Sequence, residues 1–256
     1  MIFETHSHYD DEAFIGDRDE ILRKCHASGI EIIVNIGVNK ETAVNTIRLT
    51  EDYPFVYGVI GVHPSDSTEF NEEEYEWIKD NCINTPKILG IGEIGLDYHW
   101  DDVGRDIQMH AFREQLRLAE EISMPVVIHS RDAAKDTMDT LKQYDKVPSG
   151  VIHCYSYHLK DALDYIEMGY YIGIGGVVTY KNASKIKEVV ENIPIERIVL
   201  ETDCPYLTPH PFRGKRNCSL YLPYVVEKIA ELKGLTAEEV EEITYRNAVK
   251  MFRMEA

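Results

Sequence analysis

The sequence predicts an α/β protein, a single-domain (β/α)8 TIM barrel spanning residues 1–256. Three observations predict it: eight short apolar runs recur along the chain, charged amphipathic segments separate them, and no Ser/Gly linker or low-complexity stretch divides the sequence. The length, 256 residues, is close to the ~250 typical of such barrels. The alternative is a doubly wound open sheet, whose Gly-rich fingerprint is missing. Gly173-Ile174-Gly175-Gly176 follows a strand run, but without G-x-G-x-x-G spacing and late in the chain.

In order, the strand runs are Ile2-Phe3, Ile32 to Ile36, Val56 to Val62, Ile88 to Ile91, Val126 to Ile128, Val151-Ile152, Tyr170 to Ile174 and Ile198 to Leu200. Between the fourth and fifth, residues 105–123 place Phe112, Leu116, Ala119 and Ile122 on one helical face. Asn71 with Glu74, and Thr236 with Glu239, have the spacing of helix N-terminal capping boxes.

A net charge of -18 argues against a protein that holds nucleic acid by a broad basic face. A polyanion must then be met locally, by bound cations or by the patch Arg213, Lys215 and Arg216. No apolar run approaches the ~18 residues of a membrane span, and the N-terminus carries no basic segment, so a cytoplasmic protein without membrane partners is expected. The five cysteines form no C-x-x-C pair, which suggests neither a disulfide framework nor a Cys-based zinc site.

The chemistry-bearing residues gather where strands end. His6 and His8 end the first run, and strand alternation points both to one face. A lone H-x-H is a weak motif. Glu93, however, follows the fourth run between Gly92 and Gly95, His129 ends the fifth, His153 the sixth, and the acid pair Glu201 and Asp203 the eighth. Barrel enzymes assemble their sites at strand C-termini. Four imidazoles with Glu93 and Asp203 exceed what one tetrahedral ion needs, so two divalent ions sharing Glu93 fit better. Histidine-rich ligation favours zinc or manganese over magnesium.

At these residues the sequence resembles the TatD family of metal-dependent deoxyribonucleases. The motifs are H-x-H at His6 and His8, GVHP at 61–64, GEIGLDY at 92–98, PVVIHSRDA at 125–133, HCYS at 153–156, GIGGVVTYKNA at 173–183, ETDCPYL at 201–207, RGKRN at 213–217 and NAVKMF at 247–252. The resemblance implies His6, His8, Glu93, His129, His153 and Asp203 as metal ligands. It also implies phosphodiester hydrolysis, often as a 3'-to-5' exonuclease on single-stranded DNA or RNA. The chain departs from the family's pattern at Glu4, Cys204 and Cys218-Ser219. Glu4 is expected to share a face with His6 and orient its imidazole.

The expected mechanism is a metal-activated water whose proton passes to Asp203, with Glu93 the second catalytic carboxylate. His63, Arg213, Lys215 and Arg216 are expected to contact substrate phosphates, and Tyr98, Trp100 and Tyr206 are candidates for base stacking. Two other readings stay open: an ester or amide hydrolase such as an aminoacyl-tRNA deacylase, and a metal-bound binding protein whose catalysis has lapsed.

Overall fold

A computed structural model describes all residues except Asp145, Pro148, Glu255 and Ala256. Eight strands form one parallel sheet in sequential order: β1 (Ile2–Ser7), β2 (Ile30–Gly37), β3 (Val56–Ile60), β4 (Ile88–Asp97), β5 (Val126–Arg131), β6 (Gly150–Ile152), β7 (Tyr171–Ile174) and β8 (Ile198–Leu200). Beyond the end of β8, Cys204 bridges to Ser7 in parallel, and the Asp203 amide donates to the His6 carbonyl at 3.0 Å. The sheet thereby closes into the predicted barrel. Among the described residues nine α-helices alternate with and follow the strands: α1 (Arg18–Ala27), α2 (Lys40–Asp52), α3 (Glu72–Asn84), α4 (Arg105–Ile122), α5 (Ala134–Leu141), α6 (Leu159–Glu167), α7 (Ser184–Asn192), α8 (Leu222–Lys233) and α9 (Ala237–Met251).

Two apolar layers hold this together. Ile33, Val56, Ile91, Ile128, Ile172 and Ile198 point outward into the shell of helices. Phe3, Val34, Val59, Val127, Val151, Tyr171 and Val199 meet one another inside the barrel, where Met251 and Phe252 join them. Phe3 stacks on Phe252 at 5.9 Å, so the end of α9 plugs the mouth opposite the strand C-termini. The core therefore fills the bottom of the barrel and leaves the top to polar residues. At Thr236 the capping box forms as the spacing predicts; at Asn71 the side chain caps the Glu74 amide.

Strand limits differ from the sequence reading at two places that matter. The first run continues to Ser7 and the fourth to Asp97, and both pairings slip by one residue. Between Glu4 and Ser7 the partner strand advances only from Ile33 to Asn35, and between Ile91 and Ile94 only from Val126 to Ile128. Each slip is a bulge, in which an extra residue reverses the in-out alternation. Gly95 follows directly on the second irregular stretch, with φ +146° and an ideal Cβ only 1.9 Å from the His129 carbonyl oxygen. Gly95→Ala is therefore expected to lose about 3 kcal/mol, a fall of roughly 6–12 °C in Tm for a chain of this size. Thermal unfolding with Tm unchanged would refute that assignment.

Candidate metal centre

The two bulges aim the site. His6 turns into the barrel while Glu4, across the bulge, stays outside it. The expectation that Glu4 orients the His6 imidazole is therefore wrong. Its carboxylate instead accepts from the backbone amides of His6 (3.2 Å) and Thr202 (2.8 Å) and from the Ser219 hydroxyl (2.9 Å). Burial raises the Glu4 carboxyl to about 8, against those donors. Among the described residues the buried His6 Nδ1 has no hydrogen-bond partner. His8 follows Ser7 and rejoins the inner face, as alternation predicts.

Five side chains then converge on Glu93, itself placed inward by the second bulge. His6 Nε2 lies 3.3 Å and His8 Nε2 3.9 Å from Glu93 Oε2. His129 Nδ1 lies 2.7 Å, His153 Nε2 3.6 Å and His63 Nε2 3.8 Å from Glu93 Oε1. Asp203 Oδ1 sits 3.7 Å from His6 Nε2, 3.5 Å from His8 Nε2 and 3.8 Å from His153 Nε2. Asp203 adopts φ 57°, a left-handed conformation that Asp tolerates better than most residues.

The protonation pattern is set from behind. His8 Nδ1 donates to the Ile36 carbonyl (3.1 Å), His153 Nδ1 faces Glu201 Oε2 (3.1 Å), and His129 Nε2 faces Asp97 Oδ2 (3.0 Å). With a proton on each of those nitrogens, the neutral ring presents a lone pair to the centre. His63 is wired the other way. Its Nδ1 accepts from the Ser65 amide at 3.1 Å, so a neutral ring carries its hydrogen on Nε2, aimed at the cluster. Burial, helped by His129, lowers the His63 pKa to about 3. A neutral His63 thus faces the site with an N–H.

These distances pass a test for a metal ion. His6 Nε2, His8 Nε2 and Asp203 Oδ1 stand 3.2, 3.5 and 3.7 Å apart, and Glu93 Oε2 lies 3.3 and 3.9 Å from the two imidazoles. Four ligands ~2.0–2.2 Å from one ion in tetrahedral array stand ~3.3–3.6 Å apart. The electrostatics agree. Burial opposes charge on Glu93, but His153 and His6 hold its carboxyl well below the usual range. Burial likewise opposes charge on His153 and His8, yet Glu201 and Glu93 raise the first to about 10, and Asp203 and Glu93 raise the second to about 9. The cluster is a field that favours positive charge, carried by protons or by divalent ions in their place.

Asp97 and Glu201 were not among the residues that the sequence assigned to the site. Asp97 is the acid of GEIGLDY, and Glu201 was visible only as one of an acid pair. Glu201 also accepts from the Cys154 amide (2.6 Å), and it occupies space that only a glycine leaves open, since a Cβ on Gly173 would lie 2.4 Å from its Oε2. The Cys154 thiol, also unforeseen, lies beside His153 and Asp203, and burial pushes its pKa well up.

The centre opens into a cavity of about 810 Å³. Its outer rim, from the segment after β1 and the first turn of α2, is acidic, with Asp10, Asp11, Glu12 and Glu41. Arg18 is there too, with its guanidinium bound to the carbonyls of Tyr9, Asp10 and Asp11. Tyr206 lines this cavity and is 56% exposed. Trp100 is exposed elsewhere, and Tyr98 is half-buried under Arg105 at 4.2 Å.

Arg213, Lys215 and Arg216 do not line that cavity. Following Asp203 in sequence does not put them beside it in space, because the segment folds back. The Asn217 side chain donates to the Thr202 (3.0 Å) and Tyr206 (2.6 Å) carbonyls. Arg216 is thereby turned outward onto Asp17, with a contact of 2.8 Å, and onto the Phe14 ring. Lys215 lies over Phe212, and Arg213 stacks on Tyr180.

Known proteins match this chain along nearly its whole length. A family model described as TatD related DNase matches residues 3–253. An uncharacterized metal-dependent hydrolase of Bacillus subtilis, YabD, is 44% identical over 99% of this chain and 100% of its own. The 3'-5' ssDNA/RNA exonuclease TatD of Citrobacter rodentium is 34% identical over 93% of both chains. The crystal structure of the TatD homolog YjjV from Escherichia coli superposes with a TM-score of 0.93, at 30% identity and 98% coverage of both chains.

Proposed function

The chain belongs to the TatD-related DNase family of metal-dependent hydrolases, and on that premise we propose that it removes nucleotides from the 3' ends of single-stranded DNA, and of RNA, with two divalent ions. The observation that carries this reading is the division of labour at Glu93. One carboxylate oxygen faces His6 and His8 and the other faces His129 and His153, an arrangement suited to bridging two ions. His6, His8, Glu93 and Asp203 would hold one ion, and Glu93, His129 and His153 the other. The donor set suits zinc or manganese better than magnesium. When bound, such ions lower the pKa of water and polarise a phosphoryl oxygen.

The chain's own residues do the rest. The Asp203 carboxylate is held ionised, since His8 and His153 outweigh its burial, and it takes the proton of the attacking water. His63 Nε2–H donates to a non-bridging phosphoryl oxygen. Asp97 and Glu201 keep the rings of His129 and His153 turned to the centre. The barrel would form one domain from Ile2 to Met251. No helix among the described residues is long and apolar enough to cross a membrane, and five free thiols support a reducing, cytoplasmic setting.

A second reading has one observation in its favour. The acidic rim of Asp10, Asp11, Glu12 and Glu41 repels a polyanion but would attract the ammonium group of an aminoacyl ester. A panel of 3'-labelled single-stranded DNA, RNA and aminoacyl-tRNA decides between them. Mononucleotide release from the single strands, abolished by EDTA and restored by Zn²⁺ or Mn²⁺, is the expected result. Activity surviving chelation, or deacylation alone, would overturn the nuclease reading.

A further inference from the structure

On the side of Asp203 away from the acidic rim, a second and smaller hollow of about 160 Å³ opens between the loops after β6, β7 and β8. It shares Asp203 with the large cavity, and Tyr155, Val177, Ala183, Ile186 and Leu207 give it apolar walls. Its volume is well under the ~300 Å³ of a site that engulfs a whole small molecule, so it suits one ring system of a longer ligand. Across Val177 and Ala183 it adjoins a third concavity, lined by Lys181, Asn182 and Arg213.

The charge on that side is opposite to the rest of the molecule. Residues 176–187 and 204–226 contain no Asp or Glu in a chain of net charge -18. The fold joins these two stretches: the His210 amide donates to the Thr179 hydroxyl (2.8 Å), the Tyr180 hydroxyl to the Thr208 carbonyl (3.0 Å), and Arg213 stacks on the Tyr180 ring at 4.2 Å. Lys181, Lys185 and Arg213 are exposed. Among the described residues none of them forms an ion pair, whereas Arg216 is committed to Asp17. Unneutralised cations gathered beside an apolar hollow complement a ligand that alternates rings with phosphates.

We infer that the single strand leaves the reacting centre over this wall, with the nucleotide next to the scissile bond placing its base in the apolar hollow and its phosphate between Lys181 and Arg213. The inference rests on the nuclease reading and deepens it by assigning the path of the strand. Apolar walls grip a base without reading its edges and cations grip phosphate alike in every sequence, so binding there is sequence-independent.

The test uses the metal-loaded enzyme and a fluorescein-labelled oligothymidylate at several salt concentrations. Lys181→Ala/Arg213→Ala is expected to raise KM roughly tenfold, as for a lost charged contact, and to flatten the log–log salt slope by about 0.7 for the one phosphate held between them. Hydrolysis of bis-p-nitrophenyl phosphate, which has no neighbouring phosphate, should stay within about twofold of wild type. Lys135→Ala/Lys160→Ala removes the same charge from α5 and α6 and should leave KM for the oligonucleotide unchanged. Ala183→Phe fills the hollow, and should raise KM without altering the salt slope. If wild type cuts the oligonucleotide while the Lys181/Arg213 variant matches the α5/α6 control, or if Ala183→Phe cuts with wild-type KM, the strand runs elsewhere and the inference is overturned alone. If wild type hydrolyses only the small ester, the nuclease reading falls and the inference with it.

Discussion

If two ions share Glu93 as proposed, Glu93→Ala is expected to release both and lower kcat/KM by on the order of 10⁴-fold or more, because without them water would keep a pKa near 15.7 rather than about 7. Two oxygens of one side chain face two sets of imidazoles, at 3.3 and 3.9 Å on one side and 2.7 and 3.6 Å on the other. Truncation removes a donor from each set at once. It also leaves four imidazoles facing one another without their shared anion, His6 and His153 stacked at 3.4 Å among them. Elemental analysis of the purified variant is the direct measurement. Retention of one ion would make Glu93 a ligand of a single site, and retention of both would remove it from the centre. Glu93→Gln keeps the volume, so loss of metal in that variant too would exclude collapse of the barrel as the cause.

Asp203→Asn is expected to lower kcat by 10²–10⁴-fold, the usual span for a general base, while raising KM much less. Asn keeps the size and one oxygen ligand, and it tolerates the left-handed backbone that Asp203 adopts. What it cannot do is receive a proton. A fall in kcat and kcat/KM together, with metal content held, marks an interaction made in the transition state. Near-normal turnover with metal in place would take Asp203 out of proton transfer. A rise in KM alone would make it a binding group.

Much of this molecule was legible in one sequence. Buried parallel strands read as short β-branched runs, and amphipathic stretches between them bury one face, so the order of elements followed from composition along the chain. His129, His153 and Asp203 sit where such runs stop, and the top of a barrel is the place where polar residues gather. The residues behind them were not legible. Asp97 and Glu201 act through a ring from another strand, 32 and 48 positions away in sequence, and no local pattern records that.

By itself, then, the sequence determined the barrel, the order of its strands and the set of imidazoles and carboxylates at its open end, because burial period and strand length are local properties. Only the tertiary structure decided which way these side chains face. A bulge in β1 separates Glu4 from His6, and another in β4 turns Glu93 inward. A fold-back after β8 takes Arg216 to Asp17 while Arg213 joins Lys181 across Tyr180. One inserted residue reverses every side chain beyond it, and its position depends on pairing with a strand that is distant in the chain.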